Sequence, residues 1–305
     1  MYCPYLRGKL YELKAVEELV KNKKISNEIV PIIEPVSKTS AFINFVKYME
    51  KNKRNFIGIL NPQVGYYKTN KTIEFNDFKK SKFFIEGKII KSQNDIDELQ
   101  AMFSESSEKS AAIFVDSRSS DLDVSKIDNN KVYKVIPDST SFRMKFNNSN
   151  ELILLDDKFN RQKRNSDYLN IDSEFFSIDH QIYKKAGYIG FSDYSIIGKE
   201  FFDSGFAPLA VAIHIVYFDD NNALQVRHFT SHNNADISDP DRKVLEALEK
   251  FTEWYDKEPE KNHSLGADLL KENYEKKQYH GLGVLKKYSI MHHLEIMNNY
   301  LVDQK

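Results

Sequence analysis

Eight short apolar runs each close at a polar residue: Arg7, Glu34, Asn61, Lys91, Asp116, Asp138, Asp156 with Asp157, and Asp193. Most are carboxylates, and carboxylates gathered at one place repel one another unless positive charge lies between them. Two arrangements supply that charge. In one, a hard divalent metal such as Mg2+ or Mn2+ takes oxygen ligands from Glu34, Asp116 and Asp156, with Asn61 as a further oxygen donor. In the other, Arg7, Lys9, Lys91, Arg161 or Arg164 neutralises the carboxylates directly. The sequence leaves the cofactor open between these. On either arrangement Glu34, Asp116 and Asp156 are the candidate catalytic residues, as ligands or general base. Arg7, Lys9, Asn61, Arg161 and Asp193 are the candidate ligand-binding residues.

Each position also has a structural reading. An Asp or Asn just past a strand commonly caps the next helix, and Asp138 before Ser139-Thr140-Ser141 is read that way first. Glu34 differs, because Glu is a poor N-cap and Pro35 follows. Arg7 has an alternative as the partner of Glu12 in an ion pair at the first strand-helix junction. The densest polar segment, Asp156 to Arg164, places carboxylates beside cations as phosphodiester chemistry requires, and is otherwise a solvated loop. With no stacking aromatics between its cations, it is a weak nucleic-acid signal. His214 lies in an alternating strand on a face with Ala210 and Ala212, and is read first as a hydrogen-bonded sheet histidine, the alternative being that this face borders the site. His292 and His293 are adjacent in a helix and point in different directions. Helical i,i+4 histidines and a cysteine pair for zinc are both absent, as are a glycine-rich phosphate loop and a Gly-x-Ser-x-Gly elbow. Cys3 is read as a packing residue.

The elements that position these residues follow from the runs themselves: Tyr2-Leu6, Ile29-Ile33, Phe56-Leu60, Phe83-Ile90, Ala111-Val115, Val132-Ile136, Leu152-Leu155 and Tyr188-Phe191. Continuous apolar runs suit parallel strands covered on both faces. Helix-compatible stretches follow several of them, with Leu10, Leu13, Val16 and Val20 on one face and Phe42, Phe45, Val46 and Met49 on another. The pattern predicts an α/β fold, a somewhat irregular (β/α)8 TIM-like barrel, whose active site lies at the carboxyl ends of the strands. Irregularity is expected at Pro31, in the polar third crossover at 66–82, and after the fifth and sixth runs, where the crossovers shorten to turns. Asn94 or Asp95 is expected to cap the helix at 93–103. Residues 157–186 are long enough for a functional loop containing a helix. Two β-rich segments, Leu209-Phe218 and Leu224-Thr230, flank an Asp/Asn turn and read as a hairpin, followed by a helical tail from Asp239 to Val302 broken at His280-Gly283. The expected organisation is a barrel-like core over 1–205 with a hairpin and helical extension over 206–305 packed on it, one domain overall.

With 305 residues, 29% of them charged, and a formal net charge of −1, the chain can bury a full core and has no global field for DNA or anionic membranes. Its single cysteine excludes an internal disulfide framework. The N-terminus lacks a secretory pattern and no run approaches about 18 uninterrupted apolar residues, so a soluble, cytoplasmic protein without a membrane partner is expected.

Several of these segments carry a resemblance. Pro4-Tyr5-Leu6-Arg7-Gly8-Lys9 with Glu12, Ala15 and Leu19, followed by Ile29-Val30-Pro31-Ile32-Ile33-Glu34-Pro35, resembles the opening of the bacterial "beta family protein" group. The likeness resumes at Gly190-Phe191-Ser192-Asp193-Tyr194-Ser195-Ile196, at His214-Ile215-Val216-Tyr217 and at Val226-Arg227-His228-Phe229, while Ser289-Ile290-Met291-His292-His293-Leu294-Glu295 resembles a narrower subgroup. Coverage is nearly full length, and specificity comes from the order of short words. Many members carry Arg-Gly where this chain has Arg227-His228. The resemblance implies a barrel-like α/β fold and a phage, mobile-element or anti-phage defence setting, without an established reaction. Taken together, the expected function is a polar strand-end pocket that binds a small phosphate-containing or anionic ligand or nucleotide and hydrolyses a phosphodiester-type bond. The alternative is a non-catalytic component that recognises a partner protein in a defence pair.

Overall fold

The computed structural model describes residues 1–38, 40–69, 81–105, 110–116, 121–127, 131–202, 209–232, 236–278 and 280–304. The chain divides into two compact units. The first comprises Met1–Leu10, Asn27–Asp157 and Asp179–Tyr194, and the second Tyr11–Ser26, Lys158–Ile178 and Ser195–Lys305. Each is drawn from three segments, so their separation does not follow a single cut after residue 205.

The first unit holds β1 (Tyr5–Leu6), β2 (Ile32–Ile33), β3 (Phe56–Ile59), β4 (Phe84–Ile89), β5 (Ser110–Ile113), β6 (Val132–Pro137) and β7 (Leu152–Asp156). After β8 (Ser173–Ser177), which belongs to the second unit, comes the eighth barrel strand, β9 (Gly190–Asp193). Every neighbouring pair in the order β1-β2-β3-β4-β5-β6-β7-β9 is parallel. Tyr2 closes the ring by bridging both Ile29 and Phe191. There the Cys3 N–H donates to the Phe191 carbonyl at 2.8 Å, and the Phe191 N–H to the Met1 carbonyl at 3.1 Å. The result is a nearly closed TIM-like (β/α)8 barrel, with a strand in each of the eight apolar runs.

Helices lie between strands: α1 (Leu10–Lys21) after β1, α2 (Ser40–Lys51), α3 (Gln93–Glu105), the short α4 (Thr140–Lys145) and α5 (Asp179–Ile182). All residues of β1, β2, β3 and β5 are buried, which is why these strands read as unbroken apolar runs. β2 begins after Pro31, whose carbonyl accepts from the Ile57 N–H at 2.9 Å. α2 buries Phe42, Phe45, Val46 and Met49, and the Phe45, Phe56 and Phe84 rings pack edge to face at 5.3 and 5.2 Å. Gly58 makes room for this stack, since a Cβ there would lie 2.4 Å from the Phe84 ring. Asp95 accepts from the Lys91 and Ser92 N–H groups and so fastens the entry to α3. The sixth crossover is a helix where a turn was expected, and Asp138 pairs with Arg143 at 3.4 Å instead of capping α4. In the third crossover a 3-10 turn spans Tyr66–Lys68, and residues 70–80 lie outside the described set.

In the second unit, β10 (Ala212–Phe218) and β11 (Leu224–Thr230) form the expected antiparallel hairpin. Its turn is held by Asp219 Oδ1, which accepts from the N–H groups of Asn221 and Ala223, both at 2.9 Å. β8 adds to the free edge of β11, giving the order β10-β11-β8. The tail forms α6 (Pro240–Tyr255), α7 (Leu265–Glu275) and α8 (Leu282–Asp303), one break more than its sequence pattern indicates. α6 starts with Asp239 accepting from the Arg242 N–H and Pro240 at its first position. Ile213, Ile215 and Phe229 of the sheet form one apolar core with Val244, Leu248 and Phe251 of α6 and Leu270 of α7. Among the described residues no helix is long and apolar enough to cross a membrane.

Candidate functional site

Parallel pairing places Arg7, Glu34, Asn61, Asp116, Asp156 and Asp193 at the carboxyl end of the barrel strands. Gly8, at φ +62°, turns the chain just after Arg7, and a Cβ there would meet the Glu34 carbonyl oxygen at 3.1 Å. Arg7 and Glu34 form a buried ion pair. Glu34 Oε2 also accepts from the Tyr5 hydroxyl at 2.8 Å, and its Oε1 from the Gln63 N–H at 2.6 Å. The Arg7 guanidinium lies over the rings of Tyr5 and Tyr194, at 5.1 and 5.4 Å. Burial pushes the Tyr194 phenol well up; Arg7 opposes this, while Glu34, Asp157 and Asp156 add to it. Burial opposes charge on Arg7, and Tyr5 and Glu34 reverse the balance and raise it.

Direct neutralisation by arginine is therefore the arrangement at Glu34, whose two oxygens are engaged by the barrel itself. Asn61 braces β4, donating to the Ile89 carbonyl at 2.9 Å and accepting its N–H at 2.8 Å. Asp193 accepts from the buried Tyr2 hydroxyl at 2.8 Å and stands in register with Asp156 of β7. Asp156 accepts from the Asp157 N–H at 2.9 Å. Asp116 and Lys9 are half-buried. Among the described residues no three His, Cys, Asp or Glu side chains gather closely enough to hold a metal ion.

Arg161 belongs to the second unit and lines a cavity of about 210 Å3. Its walls include His214 of β10, Tyr168 and Asn165 of a 3-10 turn (Asn165–Asn170), and Lys286 and Ser289 of α8. The hairpin register sets His214 opposite His228, and their Nδ1 atoms are 2.8 Å apart. On the far side of His228, Nε2 lies 3.2 Å from Oε1 of Glu174 on β8. Asn160 donates to the other oxygen of Glu174 at 2.9 Å. A carboxylate only accepts, so His228 donates from Nε2 and receives at Nδ1. His214 then donates from Nδ1, and its Nε2 carries the lone pair.

That Nε2 makes no hydrogen bond to a described residue, and His214 is half-buried in the wall of the cavity. Tyr168 packs on both imidazoles at 4.6 and 4.4 Å, while Phe159 meets His214 edge-on at 5.0 Å, which fixes the ring planes. Burial holds His214 well below the usual histidine range, and His228, Lys286 and Arg161 push the same way. His228 is also lowered, by burial first, with Glu174 opposing. Both rings are neutral at pH 7, as the tautomers above require. Arg161 is exposed, with its guanidinium 4.3 Å from the Phe202 ring. The cavity thus offers one unprotonated base and two cations that bear on it electrostatically.

Two buried hydroxyl-imidazole pairs lie elsewhere in this unit. Ser195 Oγ lies 2.9 Å from His293 Nδ1, and Ser264 Oγ 2.8 Å from His292 Nδ1, and all four residues are buried. As their sequence positions indicate, His292 and His293 face different partners. Of the relay, the His214–His228 pairing was legible from a hairpin centred on Asn221, whereas Glu174 lay in a strand that the pattern did not reveal. No protein-family model, curated protein or solved structure matches the chain.

Proposed function

We propose that the protein binds a small phosphate-bearing or otherwise anionic ligand in the His214 cavity and hydrolyses it by general-base catalysis. The observation that carries this reading is the hydrogen-bonded chain Glu174–His228–His214, which ends at an imidazole with a free lone pair beside Arg161 and Lys286. Arg161 and Lys286 hold the anion and stabilise the charge that builds on it as bonds change. His214 Nε2 takes a proton from water, the water oxygen bonds to phosphorus, and the ester oxygen departs with its electron pair. The positive charge on His214 is shared through Nδ1 with His228, where Glu174 stabilises it, as in other carboxylate-imidazole systems.

The test uses the full chain with inorganic phosphate for binding, and p-nitrophenyl phosphate and bis(p-nitrophenyl) phosphate for turnover. Arg161→Gln and Lys286→Gln are expected to weaken phosphate binding. His214→Gln is expected to retain binding and lose about 10²–10⁴-fold in kcat, the range for a lost general base. The acid limb of the kcat/KM profile should lie below pH 6.5, because protonation of His214 is disfavoured. Full activity in His214→Gln, or no phosphate binding by the wild type, defeats the proposal.

A further inference from the structure

We propose that a second cavity in the same unit, built around Arg227, is a distinct binding site for a small anion carrying a phosphate or carboxylate group. It measures about 410 Å3 and is walled by Tyr168, β11 and α6. Its inner polar groups are hydrogen-bond donors. Arg227 is half-buried, with a buried Nε that has no hydrogen-bond partner. Thr230 is 3% exposed, and its hydroxyl oxygen also has none. Lys250 is half-buried and donates to the Thr230 carbonyl at 2.6 Å, which keeps its ammonium at the same end. The acidic residues of the cavity, Asp172 and Glu253, are exposed at its edge. Buried donors without acceptors are costly, so an acceptor-rich guest is what the inner end is built to take.

The guanidinium is already oriented for this task. It lies over the faces of Phe229 and Trp254, 5.7 and 5.8 Å from their centroids, so its planar fork is held from one side. One arm donates to Asp172 Oδ2 at 2.6 Å, a carboxylate whose side chain is 74% exposed. Such an exposed pair is weak, and Asp172 occupies the position of a ligand oxygen from which a better-matched anion displaces it.

Trp254 is the only tryptophan of the chain and lines this cavity, so its fluorescence reports on the site directly. The full chain would be titrated with inorganic phosphate and, separately, with acetate; the tighter of the two identifies the group recognised. Each is expected to change Trp254 emission saturably. Arg227→Gln and Lys250→Gln should each weaken binding by about tenfold or more, the usual loss for a charge-assisted contact. Asp172→Asn removes the competing carboxylate and should tighten binding, and Arg161→Gln should leave this signal's affinity unchanged. The Arg161 arm separates this site from the His214 cavity, so each proposal stands or falls alone. No saturable change with either anion, wild-type affinity in both Arg227→Gln and Lys250→Gln, or weaker binding in Asp172→Asn overturns the assignment.

Discussion

His292 on α8 is fully buried, and its ring is wired for the neutral state. Nε2 donates to the Val216 carbonyl at 2.8 Å, Nδ1 receives the Ser264 hydroxyl, and Ser264 Oγ accepts from the Ala267 N–H at 3.1 Å as the cap of α7. Burial lowers its pKa to about 4, although the Val216 bond opposes the shift. An unfolded histidine titrates near 6.5, so between that value and about 4 the unfolded chain binds the proton first. The contribution is therefore complete above pH 6.5 and is lost as pH falls toward 4. At about 1.4 kcal/mol per unit the loss is on the order of 3 kcal/mol. His292→Gln cannot protonate, so its unfolding free energy should lose less than that of the wild type between pH 7 and pH 4.5, while starting about 1–3 kcal/mol lower at pH 7. Urea unfolding at the two pH values measures both. An equal acid loss in variant and wild type would remove the role given to His292.

α7 and α8 meet where Gly266 leaves no side chain: an added Cβ would lie 2.3 Å from the Tyr288 carbonyl oxygen and 2.6 Å from the His292 nitrogen. Those neighbours are backbone, so they cannot swing aside. Gly266→Ala gains about 0.5–1 kcal/mol of helix propensity but forces the helices apart at about 1–3 kcal/mol, for a net loss. The urea midpoint should fall with the slope of the transition preserved, and a rise would show that the helices give way freely. Gly266 is an ordinary helix residue in sequence, which shows where sequence reading stops. The barrel strands are legible because burial on both faces makes several of them, β2 and β3 most clearly, continuous apolar runs. β8 is not: Ser173-Glu174-Phe175-Phe176-Ser177 has two adjacent apolar residues and no alternation, and it exists because β11 offers an open edge. Glu174, and with it the charged end of the histidine relay, was hidden for that reason. The strand-end polar residues were legible as positions. Their partners, such as Tyr5 and the Gln63 N–H at Glu34, depend on packing between distant segments.

Among the described residues burial raises tyrosines in both units, Tyr168, Tyr255 and Tyr288 of the second included, whereas the histidines it lowers all lie in the second unit. In the barrel, burial raises Tyr2, Tyr5 and Tyr194, first through desolvation and then through neighbours such as Asp193 and Glu34. These phenols stay protonated throughout the acid range and take up no proton there. In the second unit, burial lowers His214, His228 and His292, each of which must gain a proton on unfolding in acid. Each therefore withdraws stability from that unit as pH falls below about 6.5, with the same sign. The expected outcome is sequential acid unfolding. Trp254, in the core with Phe229 and Phe251, should change its emission between pH 6.5 and 4. Amides of β4 and β7, whose ladders lie wholly within the barrel, should remain protected from hydrogen exchange over the same interval. The His292→Gln variant should move the Trp254 transition to lower pH without altering exchange in β4. If β4 and β7 lose protection together with the Trp254 signal, the units unfold as one, and the histidines set the acid limit of the barrel as well as their own.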